Sequence, residues 1–138
     1  MSHGKAVQKA EQLEREAHDA IAEFGLEDAL SLVREALAIR EASQGEAHPD
    51  LIWTLSLWIE ALGRKHRPEC ALEAARLGER LLALRRTALA GASDELEHSI
   101  RELIDLYTFE SDVFDARRVD ELRRELDALP ATRDERDA

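Results

Sequence analysis

The sequence predicts an all-α protein of six helices arranged as three stacked antiparallel hairpins. Three observations carry that expectation. Well over half of the 138 residues are Ala, Leu, Glu, Arg or Lys, all strong helix formers. No window shows the apolar–polar alternation of a half-buried strand. The apolar residues recur at helical spacing, and one pattern of them occurs three times along the chain.

The helices are delimited by Gly25, Gly45, Gly63 and Gly91, with Pro49, Pro68 and the Ser93-Asp94 pair. Glycine suits the left-handed position just past a helix end, and proline suits the first turn. The expected helices run over about 5–24, 26–43, 49–63, 68–89, 93–109 and 112–129. The connections between them are short, which makes sequential helices antiparallel. Hairpins are therefore expected over about 5–43, 49–89 and 93–129, within one domain covering about 1–130. The polar segment 131–138 is expected to be a flexible tail.

The first helix places Leu13, Ala17, Ala20, Ile21 and Phe24 on one face. The third repeats this pattern with Leu51, Leu55, Trp58, Ile59 and Leu62, and the fifth with Leu96, Ile100, Leu103, Ile104 and Tyr107. The second, fourth and sixth carry small residues at matching places: Ala29 before Leu30, Ala71 before Leu72, and Ala116. A small residue there lets paired helices approach closely. The third helix is apolar nearly all round, adding Ile52, Trp53 and Leu57 to its main face. It is expected to lie in the middle of the stack, touching its partner and both neighbouring hairpins. The last helix has only a narrow stripe of Val113, Ala116, Val119, Leu122, Leu126 and Leu129, and reads as a solubilising cap.

The segment "EDALSLVREALAIREASQGEAHPDLIWTLSLWIEALGR", Glu27 to Arg64, resembles the tetratricopeptide repeat family. The branch it resembles has the longer repeat period found in kinesin light chains and many bacterial proteins. "YTFESDVFDA" is similar too, with Tyr107, Ser111 and Ala116 in the family's Tyr, Gly and Ala slots. The second unit departs from the pattern by a longer loop and a longer second helix. The resemblance implies an α-solenoid whose concave face, built from the first helix of each hairpin, holds extended peptides or partner helices. Carried over in this way, the groove positions are Arg15 and His18; Trp53, Ser56 and Glu60; and His98, Arg101 and Asp105. An exposed tryptophan in such a groove would be an anchor. Packing of Trp53 on a neighbouring hairpin, and an ordinary solvated surface for the charged members, are the alternatives.

The net charge of −11 argues against nucleic acid and against anionic membranes as partners. No apolar run approaches a membrane span, and no apolar segment near the start resembles a secretory signal. A single cysteine, Cys70, fits a reducing compartment, so a cytoplasmic location is expected. His98 and Glu102 stand at i, i+4, but no third metal ligand is signalled and no HExxH is present. Cys70 lacks a signalled base, so it is not read as a nucleophile. Neither a metal, a cofactor nor catalysis is expected. The function expected is a non-catalytic interaction module for a protein or peptide partner, with end faces that could also support homo-oligomers. The alternative is a small helical-bundle enzyme or ligand sensor using His18 and His98 with acidic neighbours. A third is an acidic regulatory or inhibitor subunit.

Overall fold

The computed structural model describes residues 3–89 and 94–130. Gly91, Ser93 and the tail 131–138, to which the sequence assigned a boundary and a polar end, lie outside the described residues. Six α-helices follow one another: α1 His3–Ala22, α2 Leu26–Gln44, α3 Leu51–Lys65, α4 Pro68–Leu89, α5 Asp94–Phe109 and α6 Ala116–Ala128. A 3₁₀ turn at Ser111–Val113 precedes the last. There is no strand among the described residues. None of their helices is long and apolar enough to cross a membrane. The chain forms two compact units, Met1–Cys70 and Ala71–Ala138.

Two helix ends use glycine differently from the expectation. After α1 the left-handed residue is Phe24 (φ 60°), and Gly25 follows it at φ −81°. Phe24 N–H donates to the Ile21 carbonyl at 3.1 Å and Gly25 N–H to that of Ala20 at 2.8 Å. These are the two bonds of a Schellman end. The Arg64 guanidinium lies 5.5 Å from the centroid of the Phe24 ring. α3 runs through Gly63 and ends at His66, itself left-handed at φ 52°. Among the described residues, Gly45 is the glycine that takes a positive φ just past a helix end, at φ 90° and ψ 167°. A glycine within a helix costs about 1 kcal/mol against alanine, which packing along a whole helix readily exceeds.

In the first unit α1 buries Ala6, Ala10, Leu13, Ala17 and Ile21, a seam narrow enough for close approach. Ala10 and Leu13 cluster with Ala36 of α2, flanked by Leu32 and Ile39. Contacts between α2 and α3 pair Glu27 with Lys65, Arg34 with Trp58 and Gln44 with Asp50, so these helices run antiparallel. Between α1 and α3 the pairs are Glu14 with Thr54 and Phe24 with Arg64, so these two run parallel. The burial of α3 partly redraws its expected face. Leu51, Leu55 and Leu62 are buried as expected, but Trp58 and Ile59 are only half-buried. Leu57, off that face, is fully buried, as are Thr54 and Ala61. The helix is therefore covered on more than one side, which is why so acidic a chain makes it so apolar.

The second unit has its core in Leu82, Leu96, Ile100, Leu103 and Leu122, with Ile104, Tyr107, Leu126 and Leu129 packed against them. Gly78 allows α4 to meet α5 closely, since a β-carbon there would lie 2.8 Å from Leu103 Cδ2. Two ion pairs of identical register hold α4 to α6. Arg118 Nε and Nη2 donate to Glu79 at 2.8 and 2.7 Å, and the Arg86 fork grips Glu125. The expected start of the last helix moves from about residue 112 to Ala116. Asp115 is extended (φ −150°, ψ 91°) and caps α6 by accepting from Arg118 N–H at 3.0 Å. An Asx cap satisfies a terminal donor that a continuous helix would not need to cap. Ala116 consequently sits exposed at the helix start and makes no close approach, whereas Ala29 and Ala71 are buried as expected.

Tyr107 supplies a clean probe of this unit, because it is the only tyrosine in the chain. Burial, then the charge of Glu79 and a hydrogen bond to it, push its pKa up to about 12. A folded-state pKa above the unfolded value of about 10 means the native state holds the proton more tightly. The resulting stabilisation is complete below pH 10 and is lost as pH rises through 12. Absorbance at 295 nm should therefore show phenolate forming well above pH 10 in the native protein and near pH 10 in urea. Native titration at the unfolded position would place Tyr107 in water.

Candidate functional site

The first unit contains a buried polar group that the sequence pattern did not announce. Glu14 of α1, Arg40 of α2 and Thr54 of α3 are 2%, 5% and 0% exposed. Each occupies a helical position that would otherwise be apolar. Arg40 Nε and Nη2 donate to the two Glu14 oxygens at 2.7 Å each. Thr54 Oγ1 donates to Glu14 Oε2 as well. One carboxylate thus ties all three helices together. The hydrogen bonds to Glu14 outweigh the cost of burial and hold the Arg40 guanidinium more firmly protonated than usual, with Asp50 and Glu11 adding to the effect.

From this buried group the polar contacts lead to the surface. Arg40 Nη1 donates to Gln44 Oε1 at 3.2 Å and lies 3.7 Å from Asp50 Oδ2. Gln44 Nε2 donates to the same Asp50 oxygen at 2.6 Å. Asp50 N–H donates to His48 Nδ1 at 3.1 Å, fixing the chain where it enters α3. An open depression of about 370 Å³ lies here, lined by Glu11, Arg40, Pro49, Asp50, Ile52 and Trp53. Trp53 is 51% exposed. The His18 ring is 6.0 Å from it, tilted by 33°. The arrangement offers an aromatic face, an apolar wall and two carboxylates, over a floor whose own charges are already paired.

Of the residues singled out from sequence, five belong to the first unit. Arg15 and His18 are exposed on α1, and Trp53 and Glu60 are exposed on α3. His18 and Trp53 are brought together. Ser56 is half-buried and donates to the Ile52 carbonyl of its own helix at 2.7 Å. Glu60 accepts from Arg64 at 3.3 Å, one turn along. The other three lie on α5 in the second unit, all exposed. His98 Nε2 is 2.7 Å from Glu102, Arg101 Nε donates to Glu97 at 3.0 Å, and Asp105 is on the same helix. The His98–Glu102 pair gains no further ligand, since no group of three or more His, Cys, Asp or Glu placed to hold a metal occurs among the described residues.

Glu11, Arg40, Pro49, Asp50 and Ile52, which line the depression, were missed as site residues. The signal available was Arg40 itself, a charge standing in the apolar register of "LVREALAIRE", with Glu14 in the register of Leu13 and Ala17. A charge in a buried stripe implies a buried partner. Searches against protein-family models and against curated proteins both find no match to this chain.

Proposed function

We propose that the chain is a non-catalytic interaction module, a short helical-repeat array of tetratricopeptide type in the cytoplasm that binds an extended peptide. The first unit supports this reading by its geometry. α1 and α3 are parallel, both antiparallel to α2, and Glu14–Thr54 and Phe24–Arg64 repeat one displacement, as in stacked hairpins. The observation that carries it is Trp53. A tryptophan 51% exposed beside His18, at the lip of a depression, keeps apolar surface in water where a partner would cover it.

The test is an immobilised peptide array probed with wild type, Trp53→Ala and Arg101→Glu. Trp53→Ala is expected to keep the wild-type unfolding midpoint and to weaken captured peptides by about tenfold or more. Identical capture patterns for wild type and Trp53→Ala would overturn the assignment of this face.

A further inference from the structure

We propose that the depression between Glu11, Asp50 and Trp53 receives the cationic side chain, arginine or lysine, of an extended peptide. This rests on the reading of the α1–α3 face as a peptide-binding surface and names what that surface selects.

The charge balance of the site decides the sign of the ligand. Among the described residues Arg40 is the one cation lining the depression, and its fork is taken up by buried Glu14. Its remaining Nη1 faces Gln44 and Asp50. The Arg40–Glu14 pair is therefore neutral as a unit, and although Arg40 Nη1 also lies 3.7 Å from Asp50 Oδ2, this one cation faces three carboxylates, Glu14, Asp50 and Glu11, so the mouth keeps a net negative charge. Among the described residues the Glu11 carboxylate makes no hydrogen bond, and neither does Asp50 Oδ1. Arg15 stands one turn from Glu11 without an ion pair to it.

Asp50 is also set in place before any ligand arrives, because Gln44 holds its other oxygen at 2.6 Å. A fixed acceptor loses little freedom on binding. Trp53 presents its indole to the same space, and a cation over a tryptophan face is favoured. Ile52 and Pro49 provide an apolar wall for the methylene stem of a long basic side chain. An acidic ligand would meet two like charges, and an apolar one would strip water from two carboxylates without replacing it. The chain's net charge of −11 steers basic segments toward this surface.

The experiment uses the full chain labelled with ¹⁵N and titrated with millimolar ten-residue Ser/Gly/Ala peptides. Four versions carry Arg, Lys, norleucine or Glu at the centre. The Arg and Lys peptides should shift the Trp53 indole and the Glu11 and Asp50 amides saturably, about tenfold more tightly than norleucine. Glu11→Gln/Asp50→Asn should remove that preference, and Glu11→Gln alone should halve its logarithm if the double variant folds poorly. Preferential binding of the norleucine or Glu peptide with loss in Trp53→Ala would overturn the cation assignment and leave the peptide surface standing. Arg-peptide binding unaffected by Glu11→Gln would overturn the cation assignment too. Absence of any Trp53 shift with all four peptides would overturn both readings.

Discussion

Glu14→Ala is expected to lower the unfolding free energy by about 3–5 kcal/mol, the largest loss foreseen for any polar residue in the chain. The variant leaves the Arg40 guanidinium, 5% exposed, without the carboxylate that takes two of its donors. Thr54, wholly buried, loses its acceptor at the same time. Arg40→Ala should be costly for the mirrored reason, since it leaves Glu14 charged in an apolar seam. Replacing both together with Glu14→Leu/Arg40→Met should recover most of the loss, because an apolar pair of similar volume needs no desolvated charge. Urea unfolding of wild type, Glu14→Leu, Arg40→Met and Glu14→Leu/Arg40→Met closes the cycle and yields the coupling energy between the two sites. A single-variant loss below about 1 kcal/mol, or losses that simply add in the double variant, would show that the pair is hydrated.

Leu57→Ala should cost about 2–5 kcal/mol, comparable to Leu55→Ala. Both side chains are 0% exposed. Periodicity placed only Leu55 on the main apolar face of α3, so Leu57 tests whether this helix is covered on a second side. Trp53→Ala, one turn from Leu57 and 51% exposed, should stay within about 0.5 kcal/mol of wild type. The contrast between the three variants is measured by urea or thermal unfolding. A Leu57→Ala effect as small as that of Trp53→Ala would leave α3 with a single buried stripe.

Helix count and order were legible because they rest on local chemistry. The spacing of Leu13, Ala17 and Ile21, and of Leu96, Ile100 and Leu103, specifies which side of a helix is apolar. Those residues are buried. Boundaries were less legible where two local signals compete. Gly63 marks a stop by propensity, yet α3 passes through it to Lys65. Gly25 marks a left-handed residue, yet Phe24 takes that conformation. At Ser111–Val113 a continuous apolar stripe hid a turn that the Asp115 cap enforces.

The candidate site was legible in one residue and hidden in the rest. Trp53 stood out because it is large, apolar and off the main face of its helix. Its meeting with His18 depends on α1 and α3 running side by side, 35 positions apart in sequence. Glu11 and Asp50 carry no mark of their own, since the chain has 30 acidic residues, and Arg40 is marked only by standing in an apolar register. Nothing local separates Asp50, held by Gln44, from an acid on a solvated face.

By itself the sequence determined that this chain is helical, where most of its helices lie and which stripe of each is apolar. Those properties follow from backbone propensity and a 3.6-residue period, both acting within a few residues. The tertiary structure alone decided that Glu14, Arg40 and Thr54 share one buried site, that Leu57 is covered, and that Asp50 meets Trp53 over a common depression. Each depends on contact between helices, and the free energy of such contact comes from desolvation and charge pairing across distances in sequence that periodicity does not encode.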